Sequence, residues 1–159
     1  MSDQFYVTIK GLIRLKERLH YLNTVERPEI IKQVVTAREM GDLSENAEYH
    51  AAREKQRHID KEINHLRSRI SRLKAVDPAQ IPKDAVRFGA IVTLKDLHSS
   101  EEVIYQIVGV DEIGEPESEI HPISIASPIG RGLLSKKQGE NVIIEVPAGE
   151  REFKILEIK

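Results

Sequence analysis

An apolar residue recurs at alternating intervals of four and three residues in the segment 59–73, IDKEINHLRSRISRL. The repeating positions are Ile59, Ile63, Leu66, Ile70 and Leu73. A mean spacing of about 3.5 residues is typical of the seam along which two helices of a coiled coil meet. The segment therefore predicts a long helix with one face packed against a partner helix.

The partner helix is predicted nearer the N-terminus, where leucines recur with the same spacing at positions 12, 15, 19 and 22. The two rows align antiparallel, as Leu15 with Leu73, Leu19 with Ile70, and Leu22 with Leu66, so that each pair of numbers sums to 88 or 89. The chain must then reverse near residue 44, close to Gly41, a residue type that favours turns. We expect an antiparallel helical hairpin about 45 Å long with its tip at 41–48 and a kink of the first arm at Pro28.

Charge, proline and glycine divide the chain into two halves. Residues 1–76 hold 15 Lys+Arg and 11 Asp+Glu, a net charge of +4, whereas residues 77–159 hold 9 and 15, a net of −6. The first half has one proline and two glycines, and the second half has six and seven. We therefore expect two domains, 1–76 and 77–159, joined near Val76-Asp77-Pro78.

Composition excludes several classes of protein. The chain has 159 residues, no cysteine and only 4% aromatic residues, so disulfides, thiolate metal sites and a broad base-stacking surface are excluded. No apolar run approaches the roughly 20 residues of a membrane span, and no secretory signal is visible at the start. We expect a cytoplasmic protein without a membrane partner.

The second half predicts a sheet domain. Apolar or alternating runs between turn residues indicate strands at 90–97, 103–110, 120–125, 142–146 and 152–158. Ser127-Pro128 is a typical helix start, with Ser as the N-cap and Pro at the first helical position, and it opens a short helix through Leu134. These elements predict an antiparallel sheet with one short helix, an α+β domain.

The predicted tip carries acidic residues that allow two interpretations. Asp42, Glu45 and Glu48 are suitable oxygen ligands for a hard cation such as Mg²⁺, which could activate a water for phosphodiester cleavage. Asp42-x-x-Glu45 is also the spacing of a capping box, in which Asp42 or Ser44 would cap the second helix. Spacing alone leaves both roles open.

Basic residues on the second arm also allow two interpretations. Arg53, Arg57 and Lys61 recur every fourth residue and would form a positive stripe, with Arg38 across from it, suitable for a nucleic-acid backbone. They could equally be a solvated face of paired charges. A transition-metal site at residues 50, 54 and 58 (His, Glu, His) is a weaker possibility.

The run at 38–54, REMGDLSENAEYHAARE, closely resembles the bacterial transcript-cleavage (Gre) factors, GreA type. Further matching runs are Phe88-Gly89-Ala90, 105–109 (YQIVG), 123–134 (ISIASPIGRGLL) and 147–150 (PAGE), so that the resemblance covers essentially the whole chain. The resemblance implies an N-terminal antiparallel coiled coil and a C-terminal domain with an FKBP-like fold.

The same resemblance implies an accessory factor rather than a free-standing nuclease. Such a factor docks its C-terminal domain on the rim of the secondary channel of RNA polymerase and inserts the coiled coil toward the active site. There it stimulates cleavage of the backtracked RNA 3′ segment. Asp42 and Glu45 match the tip acids that help to hold a second Mg²⁺ shared with the polymerase, and we expect no stable Mg²⁺ site in the free protein.

The resemblance also assigns contact residues. Arg38 and Arg53 match basic positions that contact RNA, and Arg57 extends that stripe. The segment with Ser127, Pro128 and Arg131 lies in the region that faces the coiled coil of the polymerase's largest subunit. Two alternatives stay open: a regulator that occupies the channel without donating catalytic groups, and a structural coiled coil that dimerises. We expect a monomer.

Overall fold

The computed structural model describes residues 5–42 and 45–159, which form two compact units. One unit comprises the segment up to Gly11 together with Leu73–Lys159, and the other comprises Leu12–Arg72. The predicted division into 1–76 and 77–159 differs from these units. The residues up to Gly11 and those from Leu73 to Val76, which the prediction placed in the helical domain, belong with the sheet unit. Within the described residues, no helix is long and apolar enough to cross a membrane.

The helical hairpin is built from α1 (Ile9–Tyr21), α2 (Arg27–Arg38) and the long α3 (Ala47–Arg72). Because α2 ends at Arg38 and α3 begins at Ala47, the predicted reversal near residue 44 is confirmed. The arms enclose one apolar core, whose buried members are Leu22, Ile30, Val34, Ala52, Ile59, Ile63 and Leu66. Leu15, Leu19, Tyr49 and Ile70 pack against this core, so the predicted seam is present on both arms.

A π-helical turn at Leu22–Glu26 separates α1 from α2. The N–H of Arg27 donates to the carbonyl of Leu22, five residues back, so this turn holds one more residue than an α-helical turn. Continuing the 3.5-residue repeat from Leu22 would bury positions 29, 33 and 36. The buried residues are instead Ile30, Val34 and Ala37, each displaced by one. Next to Pro28, where a kink was predicted, the first arm contains a π-turn, which shifts the apolar row by one residue.

Two ion pairs join the arms across the seam. Nε of Arg18 lies 3.1 Å from Oε1 of Glu62, and Nε of Arg27 lies 2.8 Å from Oδ1 of Asp60. All four side chains are about 40% exposed, so each pair contributes only about 0–1 kcal/mol. The apolar core therefore dominates the stability of the hairpin.

Five strands form the main sheet: β3 (Ile91–Asp96), β4 (Glu102–Val108), β5 (Ile120–Ser124), β6 (Asn141–Val146) and β7 (Gly149–Ile158). Across the sheet their order is β5-β4-β3-β7-β6. All five predicted strands are present, with ends that coincide with the prediction or differ from it by at most three residues.

The prediction of a wholly antiparallel sheet is wrong at one pair. Strands β4 and β5 run parallel, with Ile104 opposite Ile120 and Val108 opposite Ser124. Parallel neighbours need a crossover rather than a tight hairpin. The segment between them supplies it and includes a short 3₁₀ helix at Val110–Glu112. The sheet is therefore mixed.

One face of the sheet is covered by α4 (Pro128–Leu133). The Oγ of Ser127 accepts a hydrogen bond from the N–H of Gly130 at 3.0 Å, which confirms the predicted Ser cap with Pro at the first helical position. Leu133 is fully buried in the core of this unit. The other fully or nearly fully buried members are Val86, Ala90, Val92, Leu94, Ile107, Phe153 and Ile155.

Two short strands were not predicted. β1 (Tyr6–Thr8) and β2 (Lys74–Val76) pair in parallel, with Tyr6 opposite Lys74 and Thr8 opposite Val76. The run Phe5-Tyr6-Val7-Thr8 consists of β-branched and aromatic residues, which are enriched in strands. The helical periodicity that begins nearby hides this signal.

Candidate functional site

The reversal between α2 and α3 carries the two predicted tip acids. Asp42 and Glu45 both have exposed side chains, and Leu43 and Ser44 lie outside the described residues. Gly41 has φ +134°, a backbone conformation that side-chain-bearing residues rarely adopt. The turn residue predicted from sequence therefore makes the reversal, and the two carboxylates follow it on the solvent side.

Asn46 caps the start of α3. Its Oδ1 accepts a hydrogen bond from the N–H of Tyr49 at 3.0 Å, and its carbonyl accepts from the N–H of His50 at 3.1 Å. The predicted capping box beginning at Asp42 is therefore wrong, because α3 begins at Ala47 and not at residue 43. The alternative cap, Ser44, lies outside the described residues.

The same Asn46 side chain also reaches the other arm. Its Nδ2 donates to the carbonyl of Ala37 at 2.6 Å, at the C-terminal end of α2. That carbonyl also accepts from the N–H of Met40 at 3.1 Å. One amide thus connects the end of the first arm to the start of the second and closes the segment that carries Asp42 and Glu45.

Arg38 is held beside an aromatic ring at the tip. Its guanidinium carbon lies 5.8 Å from the centroid of the Tyr49 ring, within range of a cation–π contact. Tyr49 is itself half-buried against the hairpin core, so the ring is a fixed support. The side chain of Arg38 remains exposed at the end of α2. The predicted RNA-contacting arginine is therefore orientated next to the acidic turn.

The other two predicted RNA-contacting arginines have local partners. Nη1 of Arg53 donates to Oε1 of Gln56 at 3.0 Å, and Nη1 of Arg57 donates to Oε2 of Glu54 at 2.7 Å. The solvated-face interpretation predicted this kind of pairing for Arg57. Both members of the Arg57–Glu54 pair are about 60% exposed, so the pair is weak and can exchange for a phosphate.

The weaker sequence hypothesis of a transition-metal site at His50, Glu54 and His58 has no support from the geometry. Glu54 pairs with Arg57 and lies 3.4 Å from Nε2 of His58, and His50 instead packs edge-on against Tyr49 with ring centroids 5.5 Å apart. Across the described ranges, no group of three or more His, Asp or Glu residues is placed to hold a metal ion.

The predicted docking residues lie at the start of α4 in the sheet unit. Ser127 uses its hydroxyl internally, since its Oγ donates to the carbonyl of Ser124 at 2.7 Å and caps α4. Pro128 and Arg131 are exposed. Of the three, Pro128 and Arg131 therefore present the accessible surface, and Ser127 fixes the turn that presents them.

Sequence reasoning missed the roles of Asn46 and Tyr49. Asparagine is among the best N-cap residues, and Asn46 directly precedes the helix-forming Ala47 and Glu48, so the cap signal was present. The bond from Asn46 to Ala37 had no sequence signal, because it joins residues nine positions apart across a turn.

Both halves of the chain match models of transcription elongation factors. Residues 5–74 match the family described as "Transcription elongation factor, N-terminal", and residues 81–159 match "Transcription elongation factor, GreA/GreB, C-term". The chain is 43% identical over 159 residues to Transcription elongation factor GreA of Desulfotalea psychrophila, covering 100% of this chain and 97% of the relative. It is 45% identical over 157 residues to the GreA of Hamiltonella defensa, covering 98% of each.

Among solved structures, the GreA factor homolog 1 (Gfh1) protein of Thermus thermophilus matches at 26% identity and a TM-score of 0.44, covering 98% of this chain and 99% of that chain. The family assignment rests on the two sequence matches, which together span nearly all of the chain, and on the full-length relatives. The chain belongs to the GreA/GreB family of transcription elongation factors.

Proposed function

We propose that this chain binds RNA polymerase at the rim of its secondary channel and inserts the hairpin tip toward the active site. There it stimulates the polymerase's endonucleolytic cleavage of backtracked RNA near the nascent 3′ end. The observation that carries this proposal is the pair of exposed carboxylates, Asp42 and Glu45, on the reversal between α2 and α3. The chain is an accessory factor that acts in the cytoplasm, and the cleaved bond is held by the polymerase.

The tip carboxylates suit a Mg²⁺ ion that is shared with the polymerase. Mg²⁺ prefers oxygen ligands, keeps several waters, and often binds through one or two carboxylates together with a phosphate. Asp42 and Glu45 offer two such carboxylates on a solvent-exposed turn, too few for a stable site in the free protein. Bound in the complex, the ion would lower the pKa of a water that attacks the phosphodiester. The two carboxylates would hold and orient that assembly.

The basic side chains near the tip would guide the RNA. Arg38, supported by the Tyr49 ring, and Arg53 and Arg57 on α3 would contact backbone phosphates. The half 77–159, with its net charge of −6, would repel nucleic acid and suit a basic or mixed protein surface. Pro128 and Arg131, orientated by Ser127, would face the coiled coil of the polymerase's largest subunit.

The test is RNA cleavage in stalled, backtracked polymerase complexes with wild-type factor and with Asp42→Asn/Glu45→Gln. Both changes are nearly isosteric and leave the Asn46 cap intact. We expect cleavage stimulation to fall by about 10²-fold or more, the magnitude of losing electrostatic groups at a reacting centre. Binding to polymerase and helix content by circular dichroism should stay at wild-type values.

The matched control is Glu29→Gln/Glu39→Gln, which removes the same charge from two exposed residues of the first arm that precede the turn. It should retain most of the stimulation. If Asp42→Asn/Glu45→Gln stimulates cleavage as well as wild type, the carboxylates take no part in the chemistry. The hairpin then acts by occupying the channel or moving the RNA.

A further inference from the structure

The side-chain amide of Asn46 makes two hydrogen bonds that point to opposite arms of the hairpin. Oδ1 accepts from the N–H of Tyr49 in α3 at 3.0 Å, and Nδ2 donates to the carbonyl of Ala37 in α2 at 2.6 Å. The first bond needs an acceptor and the second needs a donor. An asparagine amide supplies both from one rigid group, whereas an ionised aspartate offers acceptors only. A serine or threonine hydroxyl can accept and donate, but its single oxygen stands one bond nearer the backbone than the amide nitrogen.

The two bonds have separable consequences. Capping by Oδ1 stabilises the start of α3, which any good N-cap residue achieves. The bond from Nδ2 to Ala37 instead fixes the distance between the two ends of the turn, since Ala37 and Asn46 are nine positions apart. The residues inside this closure include Gly41, which has φ +134° and, among the residues that the structure describes, no atom within 4 Å of the place where a Cβ would stand. Described residues therefore do not pack against Gly41, whereas the bond from Nδ2 to Ala37 spans the turn directly.

We propose that Asn46 is a positioning residue for the tip carboxylates, acting through the hydrogen bond from its Nδ2 to the carbonyl of Ala37. This inference rests on the function proposed above. Glu45 is the immediate neighbour of Asn46, and Asp42 lies within the segment that the bond closes. Mg²⁺ demands near-ideal octahedral geometry, so a turn free to widen would hold it less well. By fixing the two ends of the turn, the bond limits how far apart the two carboxylates can move.

The deciding variant is Asn46→Ser, which keeps an oxygen to cap α3 and places its only O–H one bond back from the position of Nδ2, so that it loses the reach to the Ala37 carbonyl. Asn46→Ala, which loses both bonds, is its companion. We expect Asn46→Ser to keep its helix content and its affinity for polymerase. At limiting Mg²⁺ its cleavage stimulation should fall by about tenfold or more, because ångström-scale misplacement of reacting groups costs up to about 10²-fold.

The specific readout is the Mg²⁺ concentration that gives half-maximal cleavage in backtracked complexes. It should rise several-fold in Asn46→Ser, and saturating Mg²⁺ should restore most of the rate. The factor concentration that gives half-maximal cleavage should stay within about twofold of wild type. A loss that is restored by more factor and not by Mg²⁺ would assign Asn46 to folding or docking, and an unchanged Mg²⁺ dependence would also overturn the proposal.

A second measurement is independent of the polymerase. Amide hydrogen exchange in the free full-length protein should show faster exchange at residues 39–42 and at Glu45 in Asn46→Ser, with the middle of α3 unchanged. Unchanged exchange at the tip would refute the closure itself. If Asp42→Asn/Glu45→Gln retains cleavage, the proposed function fails while the exchange result still decides whether Asn46 orders the turn.

Discussion

A single carboxylate, that of Glu112, connects three backbone segments of the sheet unit. Its Oε2 accepts from the N–H of Thr8 at 3.0 Å and from the N–H of Gly109 at 2.7 Å, and its Oε1 accepts from the hydroxyl of Thr8. That hydroxyl in turn accepts from the N–H of Gly11 at 3.0 Å, in the first turn of α1. A Cβ at Gly11 would overlap the Glu112 carboxylate, so the glycine makes room for it. Glu112 thus holds β1 and the start of α1 against the end of β4.

Replacing Glu112 by alanine should destabilise the protein by about 1–3 kcal/mol, because the N–H groups of Thr8 and Gly109 lose their acceptor at partly buried positions. Thermal unfolding followed by circular dichroism measures this change. The control is Glu115→Ala, which removes an exposed carboxylate three residues on and should have little effect. Equal stability of the two variants would show that water replaces the Glu112 carboxylate without cost.

Asp96 stabilises the turn between β3 and β4. Oδ1 of Asp96 accepts from the N–H groups of His98 and Ser99 at 2.8 and 3.2 Å, and Oδ2 lies 3.0 Å from Nη2 of Arg151 on β7. The hydrogen bond from Arg151, followed by those two backbone bonds, holds the pKa of Asp96 below its ordinary value. The ionised carboxylate is therefore favoured in the folded state.

This element should become less stable in acid. A depressed carboxyl pKa contributes stability above the unfolded-state pKa of about 4, and the contribution is lost as the pH falls through the lower, folded-state pKa. The melting temperature of Asp96→Asn should therefore be lower than that of wild type at pH 7. The difference between the two melting temperatures should narrow below about pH 4. Melting curves from pH 7 to pH 3 test this, with Glu101→Gln in the same turn as control. A gap that is constant with pH would attribute the loss to geometry instead of charge.

Sequence patterns predicted the helices and strands better than they predicted the contacts between them. The leucine and isoleucine repeat predicted both arms and the reversal, because burying one helix face forces a regular spacing. No spacing rule in the sequence predicts the π-turn before Pro28. The structure shows it through the hydrogen bond from Arg27 to Leu22 and through the burial of Ile30, Val34 and Ala37 in place of positions 29, 33 and 36. The parallel pairing of β4 with β5 was not predicted for a similar reason, since the residue pattern of a strand does not determine the direction of the neighbouring strand.

At the candidate site the sequence named the acids and arginines but misassigned the cap. Asp42-x-x-Glu45 has capping-box spacing, and only the position of the first helical residue, Ala47, shows that Asn46 is the cap. The Tyr49 ring beneath Arg38 was equally hidden, because that contact crosses between two helices. Motif spacing predicts which side chains could take part in the chemistry, and the contacts that support those side chains come from the tertiary structure.

At the scale of the whole molecule, the apolar seam of the hairpin is used within one chain. Leu22 and Ile30 of the first arm and Ile59 and Ile63 of α3 are at most 5% exposed, and all four belong to a single core. A coiled coil that dimerised through this seam would have to open the hairpin and lose that burial. The seam therefore offers no surface to a second copy.

We accordingly expect a monomer of 18.1 kDa in sedimentation equilibrium at micromolar concentration. The exposed apolar side chains of the first arm include a row formed by Ile13, Tyr21 and Val25, which are 51%, 47% and 42% exposed. Tyr21→Lys is the informative variant, because it adds a charge to that row and leaves the seam intact. If wild type has twice the expected mass and Tyr21→Lys restores the monomer, this outer row and not the seam is a self-association surface. If both are dimeric, the hairpin opens in solution and its arms pair between chains.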